Sequence, residues 1–105
     1  MPNFMLTYLG TPQISSPEEK QTHMQRYHQW ITGLGDTALS PMNPLKNVSI
    51  VGSDGEVSDG GETGMTGFTI ITTDSIDSAL TIAKACPFLE VGGRLEVAEM
   101  IELPG

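Results

Sequence analysis

Two histidines, His23 and His28, are the side chains in this sequence best suited to proton transfer near neutral pH. Both lie in a segment that predicts a helix, where a separation of five residues places them about 140° apart around the axis. That separation differs from the i, i+4 spacing of paired helical metal ligands, so we expect no metal site. His28 is expected at the surface, whereas His23 lies on the side that faces the predicted sheet. A carboxylate that oriented the His23 imidazole would make it a general base.

Two aspartates are candidates for that carboxylate. Asp36 follows the predicted end of the helix, and Asp59 lies in a glycine-rich segment. Each is also typical of a turn residue that hydrogen-bonds its own backbone. The hypothesis for a catalytic pair is His23 with Asp59, and Asp36 remains the alternative partner. Substrate contacts are assigned to Tyr27, Trp30 and Asp36, although the residue types of Tyr27 and Trp30 favour packing in a core or a dimer interface over a pocket.

Other catalytic and ligand-binding motifs are absent from the sequence. Cys86 is the only cysteine, which excludes an internal disulfide and a cysteine-based zinc site. It lies in an apolar helical phase before Pro87, which favours a small buried side chain over a nucleophile. The glycines between residues 60 and 67 precede neither a lysine nor a helix start, and a phosphate-binding loop needs both. We therefore expect no cofactor.

The charge of the chain excludes whole classes of partner. Thirteen acidic residues against five basic ones give a net charge of −8 over 105 residues. A phosphate backbone or an anionic membrane surface would be repelled, so we expect neither nucleic acid nor membrane as a partner. No segment approaches the roughly 20 apolar residues of a membrane span, and the first residues do not resemble a signal peptide. A cytoplasmic location is expected.

A strand followed by a long helix is predicted for the first third of the chain. Residues 3–9 carry apolar or aromatic side chains on both faces, which is typical of a central strand. Residues 16–19, Ser-Pro-Glu-Glu, are typical of a helix start, with a serine cap and acidic residues in the first turn. Gly33 and Gly35 predict the end of this helix. Its apolar face would consist of Met24, Tyr27, Ile31 and Leu34.

The middle of the chain predicts little regular structure. Residues 36–47 are expected to be irregular because they contain two prolines. Residues 48–51 predict a short strand, and Asp54-Gly55 is typical of a hairpin turn. Residues 56–66 are rich in glycine and polar side chains and predict a long loop.

The last third of the chain predicts a strand, a helix and a strand. Residues 67–73 are dense in β-branched side chains and predict the clearest strand. Asp74 or Ser75 caps the next helix, which Pro87 ends. Residues 94–102 predict the final strand. The buried positions would be Ile76, Ala79, Leu80 and Ala83 in the helix, and Leu95, Val97 and Ile101 in the strand.

This order of elements predicts a single α+β domain over residues 1–105. It is the βαββαβ pattern of a ferredoxin-like fold, with a four-stranded antiparallel sheet, an additional hairpin and helices on one face. The other face of such a sheet needs cover. A second copy of the same face would supply it, so we expect a homodimer.

Several segments match one family in the expected order. Residues 54–60 read D-G-E-V-S-D-G, residues 73–80 read T-D-S-I-D-S-A-L, and Cys86-Pro87 is followed at residues 92–97 by G-G-R-L-E-V. These segments resemble the "DG-x-V-x-DGPF" hairpin, the "D-S-L-D-E-A-L" junction and the "CP…GG-x-I/V-EV" ending of the YCII-related proteins, in their DGPF branch. The start of the first helix at residues 16–19 is also similar.

The resemblance implies a dimeric α/β barrel of the ferredoxin-like kind. The YCII branch of the family carries a histidine–aspartate pair in a cleft, for which an enzymatic role has been proposed, and carrying that pair over to this chain selects His23 and Asp59. The chain departs from the family after Asp59-Gly60, where Gly61-Glu62 replaces Pro-Phe, and the "F-x-E-T-K-E" segment is shortened to Glu62-Thr63.

Two functional hypotheses follow. In the first, the protein is a small-molecule enzyme or binding protein that uses His23 and Asp59 in a cleft. In the second, it is a non-catalytic dimeric module that regulates or binds another protein. The first predicts a cleft that His23 lines, and the second predicts exposed apolar side chains outside the dimer interface.

Overall fold

Six strands and two helices make up residues 1–102, the part of the chain that the computed structural model describes. The strands are β1 (Asn3–Leu9), β2 (Ala38–Pro44), β3 (Ser49–Val51), β4 (Val57–Asp59), β5 (Met65–Thr72) and β6 (Arg94–Glu99). The helices are α1 (Pro17–Leu34) and α2 (Ile76–Lys84), and short 3₁₀ segments cover Gly35–Thr37 and Pro87–Val91.

Strand β1 lies inside a four-stranded antiparallel sheet with the order β2-β5-β1-β6. Its register pairs Leu6 with Thr69 of β5 on one side and with Val97 of β6 on the other. The sequence prediction of an α+β architecture with a four-stranded antiparallel sheet and an additional hairpin is therefore confirmed. The arrangement is consistent with a ferredoxin-like fold.

Both helices pack on one face of this sheet. Phe4, Leu6 and Ile71 have no exposed surface and pack with Ala79 and Ala83 of α2. Helix α1 contributes no fully buried residue, but Trp30 and Leu34 pack against the same cluster. Successive side chains in a strand point to opposite faces. The uncovered face of the sheet therefore carries Met5, Thr7, Phe68 and Ile70, which are all partly exposed.

Local hydrogen bonds explain where the helices begin. The hydroxyl of Ser16 accepts a hydrogen bond from the backbone N–H of Glu19 at 3.1 Å. The Glu19 carboxylate accepts bonds from the backbone and hydroxyl of Ser15, which lower the pKa of that carboxyl. Ser75 caps α2 by accepting from the backbone N–H of Ser78 at 3.1 Å. Of the two caps predicted for α2, the structure selects Ser75.

The prediction that residues 36–47 are irregular is wrong for Ala38–Pro44, which form β2. This strand lies at the edge of the sheet, and its pairing with β5 contains two register shifts. Proline cannot donate a backbone hydrogen bond, so it is tolerated on edge strands and at bulges. Pro41 and Pro44 therefore fit a strand that the sequence pattern alone did not reveal.

The hairpin turn at Asp54-Gly55 is confirmed. The Asp54 side chain accepts a hydrogen bond from the Glu56 backbone at 2.9 Å, and Gly55 has a φ of 86° that favours glycine. The predicted loop over residues 56–66 is wrong at both ends. Val57–Asp59 form β4 and pair with β3, and β5 begins at Met65.

Three predicted core positions are exposed. Ile76 and Leu80 of α2 lie outside the core because the helix contacts the sheet through Ala79 and Ala83. Ile101 is 84% exposed because β6 ends at Glu99. Helix α2 also ends at Lys84, three residues before Pro87, which instead begins a 3₁₀ segment.

Candidate functional site

A cleft of about 290 Å³ lies between α1, β2 and the neighbouring ends of β1 and β5. Helix α1 contributes His23, Met24 and Tyr27, and strand β2 contributes Met42, Asn43 and Pro44. The remaining lining residues are Tyr8, Pro12, Thr66, Gly67 and Phe88. Most of these side chains are apolar or aromatic, and a few polar groups lie among them. The cleft therefore offers an apolar surface with a small number of polar contacts, which is the usual composition of a small-molecule site.

Aromatic contacts hold one wall of the cleft in place. Tyr8 packs edge-on against Tyr27, with 5.9 Å between ring centroids, and against Phe88 at 5.5 Å. The His23 ring lies 6.4 Å from the Tyr27 ring. Edge-to-face pairs at these distances stabilise a defined ring geometry.

The Tyr8 hydroxyl lies in a buried hydrogen-bond network beneath the cleft. It is 2.7 Å from the Tyr27 hydroxyl and 2.5 Å from the Thr69 hydroxyl. The Thr69 hydroxyl donates to the Pro41 carbonyl at 2.6 Å. Burial raises the pKa of Tyr8 far above its ordinary value, so this hydroxyl stays protonated at neutral pH. Tyr8 is therefore a structural and hydrogen-bonding group rather than a general base.

His23 is partly exposed and lines the cleft. It also lines an adjacent polar groove that contains the exposed ion pair between Arg26 and Glu90. A base must reach its substrate, so this position at the junction of an apolar cleft and a polar groove suits proton transfer.

The structure does not bring the two aspartates to His23. Asp59 lies exposed in β4, where it pairs with Ser49. Asp36 lies exposed after the end of α1, and the last residue of that helix is about 16 Å along the axis from His23. No hydrogen bond or ion pair joins either carboxylate to the imidazole within residues 1–102.

The two predicted aromatic contacts differ in their positions. Tyr27 lines the cleft, whereas Trp30 does not. The Trp30 indole N–H donates to the Ile82 carbonyl at 3.3 Å, and its ring packs against the core. Trp30 therefore packs in the core, which is one of the two roles that the sequence analysis left open for it.

Sequence patterns missed several lining residues of the cleft. Tyr8 and Phe88 show no motif, because a strand tyrosine and a phenylalanine after Pro87 are typical of any core. Met42 and Asn43 were missed because β2 was not predicted. The sequence contained one indication of Tyr8. Because side chains alternate along a strand, Tyr8 lies on the same helix-covered face as Leu6, two positions earlier.

Cys86 lies beneath the same aromatic cluster, packed with Tyr8 and Phe88. It is 2% exposed, and burial raises the pKa of its thiol to about 11. The thiol is therefore protonated at neutral pH and out of reach of a substrate. The prediction of a small buried side chain is confirmed.

Metal ligation and membrane insertion find no support in residues 1–102. No three His, Cys, Asp or Glu side chains of this range are grouped closely enough to hold a metal ion. Neither helix combines the length and the apolar character that crossing a membrane requires.

The chain matches no protein-family model, and no curated protein sequence matches it. The resemblance to the YCII-related proteins therefore stays a prediction, and the geometry of the cleft carries the functional argument.

Proposed function

We propose that the cleft binds a small, largely apolar organic molecule. The observation that carries the proposal is the wall of Tyr8, Met24, Tyr27 and Phe88 around about 290 Å³, with His23 at its rim. Ligand sites in proteins are typically apolar, with a few polar groups, and measure about 300–1000 Å³. The volume fits a ligand of one or two rings.

In the enzymatic form of this proposal, His23 accepts a proton from the bound ligand. An imidazole changes charge near neutral pH and needs only hydrogen-bond reach to its substrate. An orienting role for Asp59 requires the β3–β4 hairpin to take another position, because His23 and Asp59 are not hydrogen-bonded in this structure. The proposal therefore rests first on binding and only then on catalysis.

Ligand binding is tested by NMR titration of the labelled protein with small aromatic compounds. Shifts confined to residues around Tyr27 and Met42 would support the cleft as the site. Met24 lines the cleft, so Met24→Trp should fill part of the cleft with a bulky indole ring and abolish those shifts. Gln25→Trp, one residue along the same helix and exposed, is the matched control and should leave them unchanged. Equal binding by the two variants would contradict the proposal.

We also propose that the uncovered sheet face is covered by a second copy of the chain, as in a dimeric α/β barrel. Met5, Phe68 and Ile70 lie on this face, and no helix of residues 1–102 packs against it. A two-fold axis is a self-complementary solution, since it brings each apolar residue of the face against the same face of the partner. The partly exposed apolar side chains support this assembly.

The assembly is tested by sedimentation velocity. Ile70→Glu places a charge on the uncovered face and should yield monomers, because burying an unpaired charge is costly. Ile76→Glu is the matched control, since Ile76 is 42% exposed and belongs to α2, which packs on the other face of the sheet. A monomeric wild type, or dimers of the Ile70→Glu variant, would overturn the proposed dimer.

A second candidate function is a non-catalytic protein-interaction module. It is favoured by the β3–β4 hairpin, in which Val51 and Val57 form a cross-strand pair and are 68% and 66% exposed. Such a pair on a hairpin that packs mainly against itself is suited to contact with another protein. This function would be favoured if crosslinking of the chain to another protein is lost when Val51 is replaced and retained when Met24 is replaced. The cleft should also bind no ligand in that case.

A further inference from the structure

The hydroxyl groups beneath the cleft form a chain whose direction can be derived. The Pro41 carbonyl only accepts, so the single hydrogen of the Thr69 hydroxyl points to it. Thr69 therefore has no hydrogen for Tyr8, and the Tyr8 hydroxyl must donate to Thr69. Tyr8 has then used its own hydrogen, so the Tyr27 hydroxyl must donate to Tyr8. The order of donation is Tyr27 to Tyr8 to Thr69 to Pro41.

Burial holds this direction. Thr69 has no exposed surface and Tyr8 is 7% exposed, so water cannot readily replace a lost partner. Pro41 is itself exposed, but reversing the chain would turn a lone pair of the buried Thr69 hydroxyl towards the Pro41 carbonyl oxygen, 2.6 Å away. Buried polar groups are very rarely left in that state. Burial also keeps Tyr8 protonated, so ionisation does not break the chain.

The derived direction leaves the Tyr27 oxygen as an acceptor. Its hydrogen is engaged by Tyr8, and within residues 1–102 its hydroxyl forms no other hydrogen bond. Tyr27 lines the cleft, and so does His23, whose ring is 6.4 Å away. We propose, on the basis of the ligand site argued above, that Tyr27 determines specificity by accepting a hydrogen bond, so that the cleft prefers apolar ligands that carry an N–H or O–H donor.

A matched pair of probes tests this selection. Indole and benzofuran have nearly the same size and shape, but only indole carries an N–H donor. NMR titration of the wild type should show indole bound roughly threefold to tenfold more tightly, the contribution expected of one hydrogen bond.

Thr69→Val removes the acceptor that orients Tyr8, so Tyr27 is no longer held as an acceptor. The preference for indole should then fall to about unity, whereas Thr69→Ser retains the hydroxyl and should retain the preference. Tyr8→Phe interrupts the same chain at its next member and serves as a second variant if the valine protein does not fold. Equal binding of the two probes by the wild type, or an unchanged preference in both Thr69→Val and Tyr8→Phe, would overturn the inference.

A second measurement does not depend on any ligand. In the free protein, the nuclear Overhauser effect of the buried Tyr8 hydroxyl proton should be stronger to the Thr69 methyl group than to the Tyr27 ring hydrogens. The opposite pattern would overturn the derived direction. Binding of neither probe, with the direction intact, would overturn the proposed function and the ligand selection that rests on it, while leaving the hydrogen-bond chain established.

Discussion

Replacing Thr69 by valine removes one hydroxyl from the interior while nearly preserving the shape of the side chain. The Thr69 hydroxyl has no exposed surface, accepts a hydrogen bond from Tyr8 and donates one to the Pro41 carbonyl. Each intramolecular hydrogen bond contributes about 1 kcal/mol net, so the loss of two should lower the free energy of unfolding by about 2 kcal/mol. For a domain of about 100 residues, this lowers Tm by roughly 8–16 °C.

The assay is urea denaturation followed by the fluorescence of Trp30, the single tryptophan. Thr72→Val is the matched control because it makes the same substitution on the same strand. The Thr72 hydroxyl is partly exposed and lies 3.4 Å from the Pro2 carbonyl, so its loss should cost less than about 0.5 kcal/mol. A comparison of the two variants isolates the buried network from any general effect of valine on β5.

One result would refute this reasoning. If Thr69→Val is no less stable than Thr72→Val, the two buried hydrogen bonds of Thr69 contribute no more to folding than the partly exposed bond of Thr72. The expected loss of about 2 kcal/mol would then be refuted.

Three further predictions concern the surroundings of the cleft. Gly93→Ala should destabilise the fold by about 1–3 kcal/mol in thermal denaturation, because a Cβ there would overlap the Phe88 ring. Burial raises the pKa of Cys86 from 9.0 to about 11, so its contribution to stability is present below pH 9.0 and is lost as the pH rises towards 11; denaturation across this range should show the loss. Because no hydrogen bond joins His23 to Asp59, Asp59→Ala should leave the NMR chemical shifts of the His23 ring at neutral pH unchanged.

Matched variants control each of these measurements. Gly33→Ala places a Cβ in open space on α1 and should raise stability by about 0.5–1 kcal/mol, so an equal loss at Gly33 and Gly93 would contradict the steric argument. Cys86→Ala should lose less stability than the wild type between pH 9.0 and 11, and parallel curves would exclude the thiol as the cause. Displaced His23 ring signals in Asp59→Ala but not in Asp36→Ala would show that the histidine–aspartate pair forms in solution.

The candidate site was only partly predictable from the sequence. His23 and Tyr27 were recognised because they lie one helical turn apart, four residues along the chain, on the side of α1 that faces the sheet. Trp30 is also an aromatic residue of α1 and was predicted to contact substrate, yet it packs into the core. Its angle around the helix axis relative to the sheet decides which residues it contacts. Tyr8 and Thr69 are 61 residues apart in sequence and meet only through the pairing of β1 with β5.

Features set by neighbouring residues were determined by the sequence alone. The cap at Ser16 and the turn at Asp54-Gly55 depend on hydrogen bonds that span two or three residues, so a short segment contains all the partners they need. The apolar and aromatic side chains on both faces of β1 likewise predicted a central strand. Only the tertiary structure decided that β2 forms around two prolines, since an edge strand exists through its pairing with β5. The tertiary structure also decided the cleft. Its walls come from α1, β2 and the end of β1, and no local sequence pattern specifies how three such segments meet.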